Sequence, residues 1–477
     1  MPRRFLAPNE NEAILAEPGV DAIPGLVDAN RRLLDRDDVR ICGESLREFR
    51  VRARREVLEC VERPPIARGG DGPLLLAGHQ PELSHPGVWV KNFALHGLAK
   101  KVGGLALNLI VDNDTLKNPF LRLPAFQERS PDTVHLESVK FDRPDDSPYE
   151  SRPVVDAAMF RSFPLRAAEL WKGWGFEPLL PSVWGDGKNV GEIFTQMRIA
   201  QEREWGGENL ELPVSRLSQT ASFGRFARHI LDDLPHFREV YNSAIRAYRK
   251  ANRIRSANHP APELEPHEAP FWTIEAGGRR RPATAHSTNS LRPRALTLTL
   301  FARLCLGDFF IHGIGGGKYD EVTDAILRDY FGIEPPAYQV LSATLHLPLP
   351  GFHSTDGDVE RAQHLVRDLH WNPQRHAMPP ALDDAHVLRM VADRIELTNE
   401  EPPLSDRATR REWFRKILEL NEKLRPHVSK QLPIAEAKLL EVEVESMANT
   451  VLKRRDYSWV LYPEVTLRPF LQRFLEV

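Results

Sequence analysis

Two segments of the chain show the same succession of strand and helix patterns, and this shared succession limits the possible folds more than any other feature. Each has a short apolar run, a loop with glycine, a helical pattern and a second apolar run. The first segment, 74–114, begins with LLLAG, and the second, 308–346, begins with DFFIH. A strand, a helix and a parallel strand in this order form a right-handed β-α-β unit. We therefore predict an α/β fold with a doubly wound, Rossmann-like and mostly parallel sheet.

Local signals predict where the two helices begin and end. Pro86 suits the first residue of a helix, because its missing N–H costs nothing there, and the glycines at 103–104 end that helix. In the second segment we expect a glycine-rich loop through Gly317. A helix then runs from about Tyr319 and closes on Gly332.

A chain of 477 residues is longer than one that usually folds around a single hydrophobic core, so we divide it into five segments. The two β-α-β units become two halves of one core, separated by a long insertion. In chain order the prediction gives an N-terminal helical segment (1–70), the first half of the Rossmann-like core (71–130), a connecting insertion (131–290), the second half of the core (291–350) and a C-terminal α-helical, coiled-coil-like region (351–477).

The C-terminal region carries two apolar stripes with the 4-3-4 spacing of a helical packing face. Thr409 and Glu412 have the spacing of a capping box, which predicts the start of the first of these helices. The stripes fit either an antiparallel hairpin inside one subunit or a coiled-coil surface that pairs two subunits as a homodimer. The stripes are Trp413, Ile417, Leu420 and Leu424, then Leu440, Val444, Met447 and Val451.

The composition narrows the class of protein. Hydrophobic residues make up 41% of the chain and charged residues 27%, which is typical of soluble globular proteins. The formal net charge of -3 gives no general attraction to nucleic acids or anionic membranes. No run approaches the roughly 20 apolar residues that cross a bilayer, and the first residues lack the apolar stretch of a signal peptide. The three cysteines lie far apart and form no C-x-x-C pair, so we expect a cytoplasmic protein. From the charge and the lack of long apolar runs, we expect neither nucleic-acid nor membrane partners.

The first candidate site lies between the first strand and its helix. Gly78, His79 and Gln80 end the strand, and His85 directly precedes the helix. Free N–H groups at a helix N-terminus attract phosphate or carboxylate, and a histidine there can move a proton near neutral pH. We predict that His79 or His85 is catalytic, while Gly78, Gln80 and Asn92 contact an anionic substrate. The alternative is structural, with loop hydrogen bonds and a helix cap.

The second candidate site is Asp112, Asn113 and Asp114, at the end of the next strand. Closely spaced oxygen ligands suit magnesium or the ammonium group of a substrate. We predict Asp114 as catalytic and Asp112 and Asn113 as substrate-binding residues, without assigning a resident metal. An Asx turn that closes the strand is the alternative.

The third candidate site is the glycine run of the second segment, whose N–H groups can form a nest for an anion. The run is not a Walker A loop, because Tyr319 rather than Ser or Thr follows the lysine, and it does not match G-x-G-x-x-G. Arg292, in an arginine-rich stretch before it, offers a guanidinium fork for phosphate or carboxylate. A tight turn and a solvated loop are the alternatives. The predicted anion-binding residues of this run are His312, Gly313, Gly315, Gly316, Gly317 and Lys318.

The order of these parts resembles the BshC family, the bacillithiol biosynthesis cysteine-adding enzymes. Residues 78–80 fall on the family's Gly-Gln-Gln, with His79 in place of the middle glutamine. Residues 112–114 fall on its acidic and histidine-containing strand end. Arg292-Pro293 and the 312–317 loop fall on its Arg-Pro and Gly-Gly-Pro-Gly-Glu segments. The sequences GIGGGK and HPGVWVKN depart from the family pattern, so the resemblance implies a remote relative with an altered substrate.

The resemblance implies a Rossmann-like core with insertions, a C-terminal coiled coil that pairs subunits, and a nucleotide pocket. It implies a ligase or transferase that acts on a small anionic substrate, such as an amino-acid or sugar conjugate, with cysteine addition in thiol biosynthesis as the family's role. ATP or ADP with magnesium is the candidate cofactor. Two other functions stay open: nucleotidyl or glycosyl transfer, and a non-catalytic nucleotide- or metabolite-binding dimer. The absence of a G-x-S-x-G elbow argues against a serine hydrolase.

Overall fold

A six-stranded, mostly parallel sheet lies at the centre of a mixed α/β chain that is 52% helical. The predicted α/β class is confirmed at this level. The computed structural model describes residues 5–61, 72–127, 130–287, 290–377 and 384–476. In this part of the chain, no helix combines enough length and apolar character to cross a bilayer.

In order across the sheet, the strands are β1 (Ile14–Glu17), β13 (Tyr338–Ala343), β12 (Phe309–His312), β4 (Leu74–His79), β5 (Leu105–Ile110) and β8 (Leu210–Pro213). Five strands run parallel, and β1 pairs antiparallel with β13 at one edge. From β4 the chain moves outward through β5 to β8, and it then forms β12 and β13 on the other side of β4. The order in which successive strands are added across the sheet therefore reverses between β4 and β12. Ile311 of β12 pairs with Ala77 of β4, so the carboxyl ends of these two strands lie side by side.

The sequence predicts four of these strands, and their ends are confirmed to within four residues: β4, β5, β12 and β13. The strands β1 and β8 were not predicted. Each has only four residues, too few for an alternation of apolar and polar side chains to be recognised. The strand β8 lies inside the predicted insertion, so that segment contributes to the central sheet.

Helices cover both faces of the sheet. The helix α3 (Pro86–Lys101) begins at Pro86 as predicted, and it packs on β4, β5 and β13. On the other face, Leu74 and Leu76 of β4 pack with residues of α2 (Leu46–Glu59) and α11 (Ile314–Asp329) in one hydrophobic core. Side chains of a strand alternate between the two faces, so both helix layers meet apolar residues of β4.

The helix α11 begins at Ile314, so the predicted start near Tyr319 is wrong. The glycines that were expected to form a loop make the first turn of this helix instead. A Cβ atom on Gly317 would lie 2.3 Å from Val340 Cγ2, and one on Gly316 would lie 2.8 Å from His312 Nδ1. These glycines therefore allow the helix to approach the sheet closely, and this need for space explains the glycine run without a loop.

The chain divides into two compact units. The first comprises Met1–Leu123, Glu137–Pro348 and Arg454–Val477, and the second comprises Pro124–Leu136 and Leu349–Lys453. The last residues of the chain, which the sequence grouped with the C-terminal helices, thus belong to the first unit.

The remaining elements of the first unit surround the sheet and supply a second, smaller sheet in the order β10-β9-β11. A two-stranded ribbon is formed by β2 and β3, and a further two-stranded sheet by β6 and β7. A π-helical turn at Phe301–Leu306 follows α10. The helices are α1 (Ile23–Leu34), α4 (Ala157–Ala168), α5 (Leu180–Val183), α6 (Val190–Glu204), α7 (Val214–Leu217), α8 (Ala221–Asp232), α9 (Leu234–Asn252), α10 (Ala295–Leu300) and α16 (Glu464–Gln472). The strands are β2 (Arg40–Ile41), β3 (Glu44–Ser45), β9 (Glu268–Ile274), β10 (Arg280–Thr284) and β11 (Leu291–Pro293). The strands β6 (Phe120–Ala125) and β7 (His135–Lys140) each have residues in both units.

The second unit is helical. Its α14 begins one residue after Asp406, whose carboxylate accepts a hydrogen bond from the Thr409 N–H at 3.1 Å. The predicted cap at Thr409 is therefore wrong, because a better acceptor lies three residues earlier. Ile417 and Leu424 of the first predicted stripe are buried. The helices are α12 (Asp356–Trp371), α13 (Ala385–Asn399), α14 (Arg407–Val428) and α15 (Leu432–Leu452).

Candidate functional site

The carboxyl ends of β4 and β12 meet at a buried lysine. Lys91, in the second turn of α3, is 3% exposed, and its Nζ donates a hydrogen bond to the carbonyl of Gly78 at 3.3 Å. A Cβ atom placed on Gly313 would lie 3.9 Å from the same Nζ. Among the described residues, no carboxylate lies within ion-pair distance of Lys91. Burial lowers the pKa of this amine from 10.5 to about 8.

The N-terminus of α11 lies next to this lysine. Gly313 is the N-cap residue, and it has no side chain that could cap the first N–H groups. Gly315 is exposed, and no described atom lies within 4 Å of a Cβ atom built on it. Lys318 follows in the second helical turn. Free N–H groups, the partial positive charge of the helix and the Lys91 ammonium together favour an anion at this position.

His312 lies below this helix, in the core of the fold. Its ring stacks on Phe310, with ring centroids 4.2 Å apart, and its Nε2 lies 2.7 Å from Asp320 Oδ2. Arg303 donates a hydrogen bond to the same carboxylate at 2.7 Å. This buried network fixes the first turns of α11 against the sheet. A direct contact of His312 with an anion stays a prediction.

His79 lies on the open side of the same edge. Its Nδ1 is 3.1 Å from the Gln80 carbonyl, and its Nε2 is 3.8 Å from Glu82 Oε1. The side chains of His79 and Glu82 keep 29% and 45% of their surface exposed. Desolvation and the Lys91 charge lower the pKa of His79 to about 3, and desolvation raises that of Glu82. Both side chains therefore reach the solvent, while many protein atoms around them still reduce their hydration. This combination is typical of a concave site.

His85 faces different neighbours. It is the N-cap residue of α3, and its Nδ1 is buried without a hydrogen-bond partner among the described residues. Desolvation and the charge of Arg455 lower the pKa of His85 to about 4. Both His79 and His85 are therefore neutral at pH 7. Proton transfer by either ring near neutral pH stays a prediction, and His79 is the ring that lines the exposed edge.

Asp114 belongs to a hydrogen-bonded network. It accepts a hydrogen bond from the Gln80 amide at 2.9 Å and forms an ion pair with Arg280 at 2.9 Å. Arg280 also donates to the Asn113 carbonyl and stacks over Trp272, with Cζ 4.7 Å from the ring centroid. The structure thus brings Gln80 and Asp114 together. Arg280, which the sequence analysis did not single out, forms the ion pair with the Asp114 carboxylate.

Asp112 and Arg292 also have internal partners. Asp112 accepts hydrogen bonds from the Ser215 N–H at 2.8 Å and from the Ser215 hydroxyl, and desolvation raises its pKa to about 6. Arg292 binds Glu150 through two nitrogens, at 2.8 and 3.1 Å. Glu150 reaches this edge because its N–H pairs with the Asp112 carbonyl at 2.7 Å. No sequence motif marks Glu150 or Ser215 as part of the edge.

These pairings do not leave a magnesium site at the second strand end. Asp112 accepts hydrogen bonds from Ser215, and Asp114 forms an ion pair with Arg280. The Asn113 amide donates a hydrogen bond to the Pro293 carbonyl at 2.8 Å. Within the described residues, no group of three or more histidine, cysteine, aspartate and glutamate side chains could hold a metal ion. The residues at 112–114 therefore do not fit the magnesium ion considered from the sequence.

Asn92 lies in the interior next to α6. Its amide donates to Glu202 at 2.7 Å, and its carbonyl accepts a hydrogen bond from Asn209 at 2.9 Å. Its predicted contact with a substrate has no support from these positions and stays a prediction.

A cavity of about 400 Å³ lies elsewhere in the first unit. Its two lining histidines have protein partners: His236 Nδ1 lies 3.0 Å from Asp233, and His229 Nδ1 accepts a hydrogen bond from the Cys42 N–H at 3.4 Å. The cavity lies away from the strand ends, where ligands bind in open α/β sheets. We therefore place the candidate site at the β4–β12 edge.

Comparison with models of known protein families and with curated proteins finds no match to this chain. The resemblance to BshC therefore rests on the motifs alone. The candidate site rests on the positions of Lys91, His79 and the N-terminus of α11.

Proposed function

We propose that the chain is a BshC-like ligase or transferase that holds the phosphate or carboxylate of a small substrate between the carboxyl ends of β4 and β12. One observation carries this proposal: the buried amine of Lys91 has no acidic partner among the described residues and lies between Gly78 and Gly313. An ammonium group in the interior is costly unless an opposite charge compensates it. A bound anion provides that charge.

The sheet supports this location. Numbered along the chain, its parallel strands follow the order 3-2-1-4-5 when β1 is left out, and we propose that it is a Rossmann-like, doubly wound sheet. In such sheets the ligand crevice lies where the strand order reverses, which here is the gap between β4 and β12. The proposed anion lies at that gap, next to the N-terminus of α11.

Nucleotidyl and glycosyl transfer are also compatible with an anion at this position. Incubation of candidate acceptors with ATP, and separately with a nucleotide sugar, distinguishes the three reactions by their products. Ligation driven by ATP releases ADP and phosphate, or AMP and pyrophosphate, and joins the two substrates. Nucleotidyl transfer releases pyrophosphate and leaves the adenylyl group on the acceptor, and glycosyl transfer from a nucleotide sugar releases a nucleoside diphosphate without ATP.

Calorimetric titration with pyrophosphate, ADP and ATP tests the anion site. Lys91→Met keeps the length of the side chain and removes its charge, and Lys100→Met is a matched control on the exposed end of the same helix. A hydrogen bond to a charged group contributes about 1.5–3 kcal/mol, so we expect Lys91→Met to weaken binding by tenfold or more. The control should bind as the wild type does. Equal affinity of Lys91→Met and the wild type would contradict the proposal.

A homodimer is a second part of the proposal. Leu440 and Met447 lie seven residues apart on α15 and are 63% and 66% exposed, while Val442 and Leu452 of the same helix are buried. This helix therefore has one packed apolar face and a second exposed one. An exposed apolar stripe on a helix is a common dimer contact, and it also fits a non-catalytic metabolite-binding dimer.

A further inference from the structure

The hydrogen bonds of His79 determine which of its ring nitrogens carries the proton. Nδ1 lies 3.1 Å from the Gln80 carbonyl oxygen, which can only accept a hydrogen bond. Nδ1 is therefore the donor. In a neutral ring the other nitrogen, Nε2, then has a free lone pair and is an acceptor. Desolvation and the nearby Lys91 ammonium keep this ring neutral at pH 7, because they lower its pKa to about 3.

Another acceptor lies close to His79 Nε2. Glu82 Oε1 lies 3.8 Å away, which is too far for a direct hydrogen bond. Two acceptors that face each other gain nothing from their proximity unless a donor lies between them. Both side chains reach the solvent, with 29% and 45% of their surface exposed, so a ligand group has access to the gap.

Glu82 also differs from the other acidic residues at this edge. Each of the others accepts hydrogen bonds from protein donors, whereas no side-chain hydrogen bond from a described residue reaches the Glu82 carboxylate. The charge of the exposed Lys117 acts on this carboxylate without a hydrogen bond, so its oxygens remain available to a ligand. The engaged acids and their partners are Asp112 with Ser215, Asp114 with Gln80 and Arg280, and Glu150 with Arg292.

We propose that His79 Nε2 and Glu82 Oε1 together bind a primary amine of the substrate. A primary ammonium group has three N–H donors and one positive charge, so it can donate to both acceptors and neutralise the carboxylate. A hydroxyl group has one donor and satisfies only one of the two. The inference rests on the proposed function, since the same substrate places its anion at Lys91. The substrate class is therefore a small molecule with both an anionic group and a primary amine.

Three series of phosphates test the amine subsite by calorimetric titration at pH 7: aminoalkyl phosphates with chains of two to four carbons, their N-trimethyl analogues and the plain alkyl phosphates. All contain the phosphate for Lys91. The trimethyl analogues keep the positive charge but have no N–H donor. We expect the best aminoalkyl phosphate to bind about tenfold or more tightly than either partner of the same chain length.

Two substitutions locate the effect. Glu82→Gln and His79→Leu should each remove most of the tenfold advantage of the amine and leave the affinity for the alkyl phosphates unchanged. Glu239→Gln, on an exposed part of α9, is the charge-matched control and should keep that advantage. Retention of the full amine preference in both Glu82→Gln and His79→Leu would overturn the assignment.

The outcomes separate the two proposals. If the wild type binds all three series equally, the anion site stands and the amine subsite is wrong. If it binds none of them, the proposed function is wrong and the amine subsite falls with it.

Discussion

Lys91 differs from the other lysines of α3 because of where its amine lies. Lys100 and Lys101 end the helix in solvent, whereas Lys91 is enclosed between the ends of two strands. No carboxylate of the described residues pairs with its charge, and burial lowers its pKa to about 8. These are the properties that make a lysine useful for binding an anion.

The pKa of Lys91 predicts a pH dependence of stability. Its folded-state pKa of about 8 lies below the 10.5 of the unfolded chain, so between these values the unfolded state binds more protons. The ionised amine therefore destabilises the fold below pH 8, and this cost disappears as the pH rises to 10.5. At 1.36 kcal/mol per pKa unit the cost is about 3 kcal/mol.

Urea unfolding of Lys91→Met and Lys100→Met between pH 7 and 10.5 measures this cost. We expect Lys91→Met to be the more stable of the two variants at pH 7, by up to about 3 kcal/mol. The difference should shrink steadily above pH 8. A difference that stays constant over this range would show that Lys91 does not titrate as described.

Sequence reasoning identified part of the site at the residue level. The residues Gly78, His79, Gln80 and Asp114 do lie at one edge of the sheet, because they end neighbouring parallel strands. Lys91 was missed, since a lysine in a helix is usually solvated. A signal for it existed: the surrounding sequence VWVKNFAL is apolar on all sides, which leaves no polar face to carry the charge out of the core.

At the level of elements, long apolar runs with clear boundaries were predictable and short ones were not. The strands β4 and β5 have Pro, Gly or acidic residues at their ends, and α3 has a proline at its start. The short β1 and β8 gain their stability from pairing with β13 and β5, which local sequence does not encode. The glycine run of α11 was misread because glycine also permits close packing.

Two glycines of α11 predict opposite effects of alanine. Gly317→Ala would place Cβ 2.3 Å from Val340 Cγ2, so we expect a loss of about 1–3 kcal/mol and a lower Tm. Gly315→Ala has open space around its Cβ atom and lies in the first turn of α11, so we expect a gain of at most roughly 0.5–1 kcal/mol, the value for alanine over glycine in a helix interior. Differential scanning calorimetry of both variants measures the two effects. A destabilised Gly315→Ala together with an unchanged Gly317→Ala would refute this account of the helix.

At the scale of the whole molecule, the chain consists of an α/β unit and a helical unit. Residues distant in sequence complete the first unit: its sheet draws on both halves of the predicted core, on β1 from the predicted N-terminal segment and on β8 from the predicted insertion. Tertiary contacts determine which segments belong to each unit, and the periodicity of a single segment does not reveal these contacts.

The exposed stripe of α15 predicts a change of assembly state. If Leu440 and Met447 pair two subunits, Met447→Glu introduces a charge into an apolar contact and should convert a dimer into a monomer. Light scattering after size-exclusion chromatography measures the mass. Val465→Glu, at a side chain of α16 that is 80% exposed, is the control and should leave the mass unchanged. A monomeric wild type would exclude the dimer.

The most direct test of the anion site is a crystal structure of the chain with pyrophosphate. The account predicts density for the ion within hydrogen-bond distance of Lys91 Nζ and of the N–H groups in the first turn of α11. In crystals of Lys91→Met grown in the same way, this density should be absent. Pyrophosphate bound only in the cavity near His229 and His236, or density that persists in Lys91→Met, would contradict the central claim.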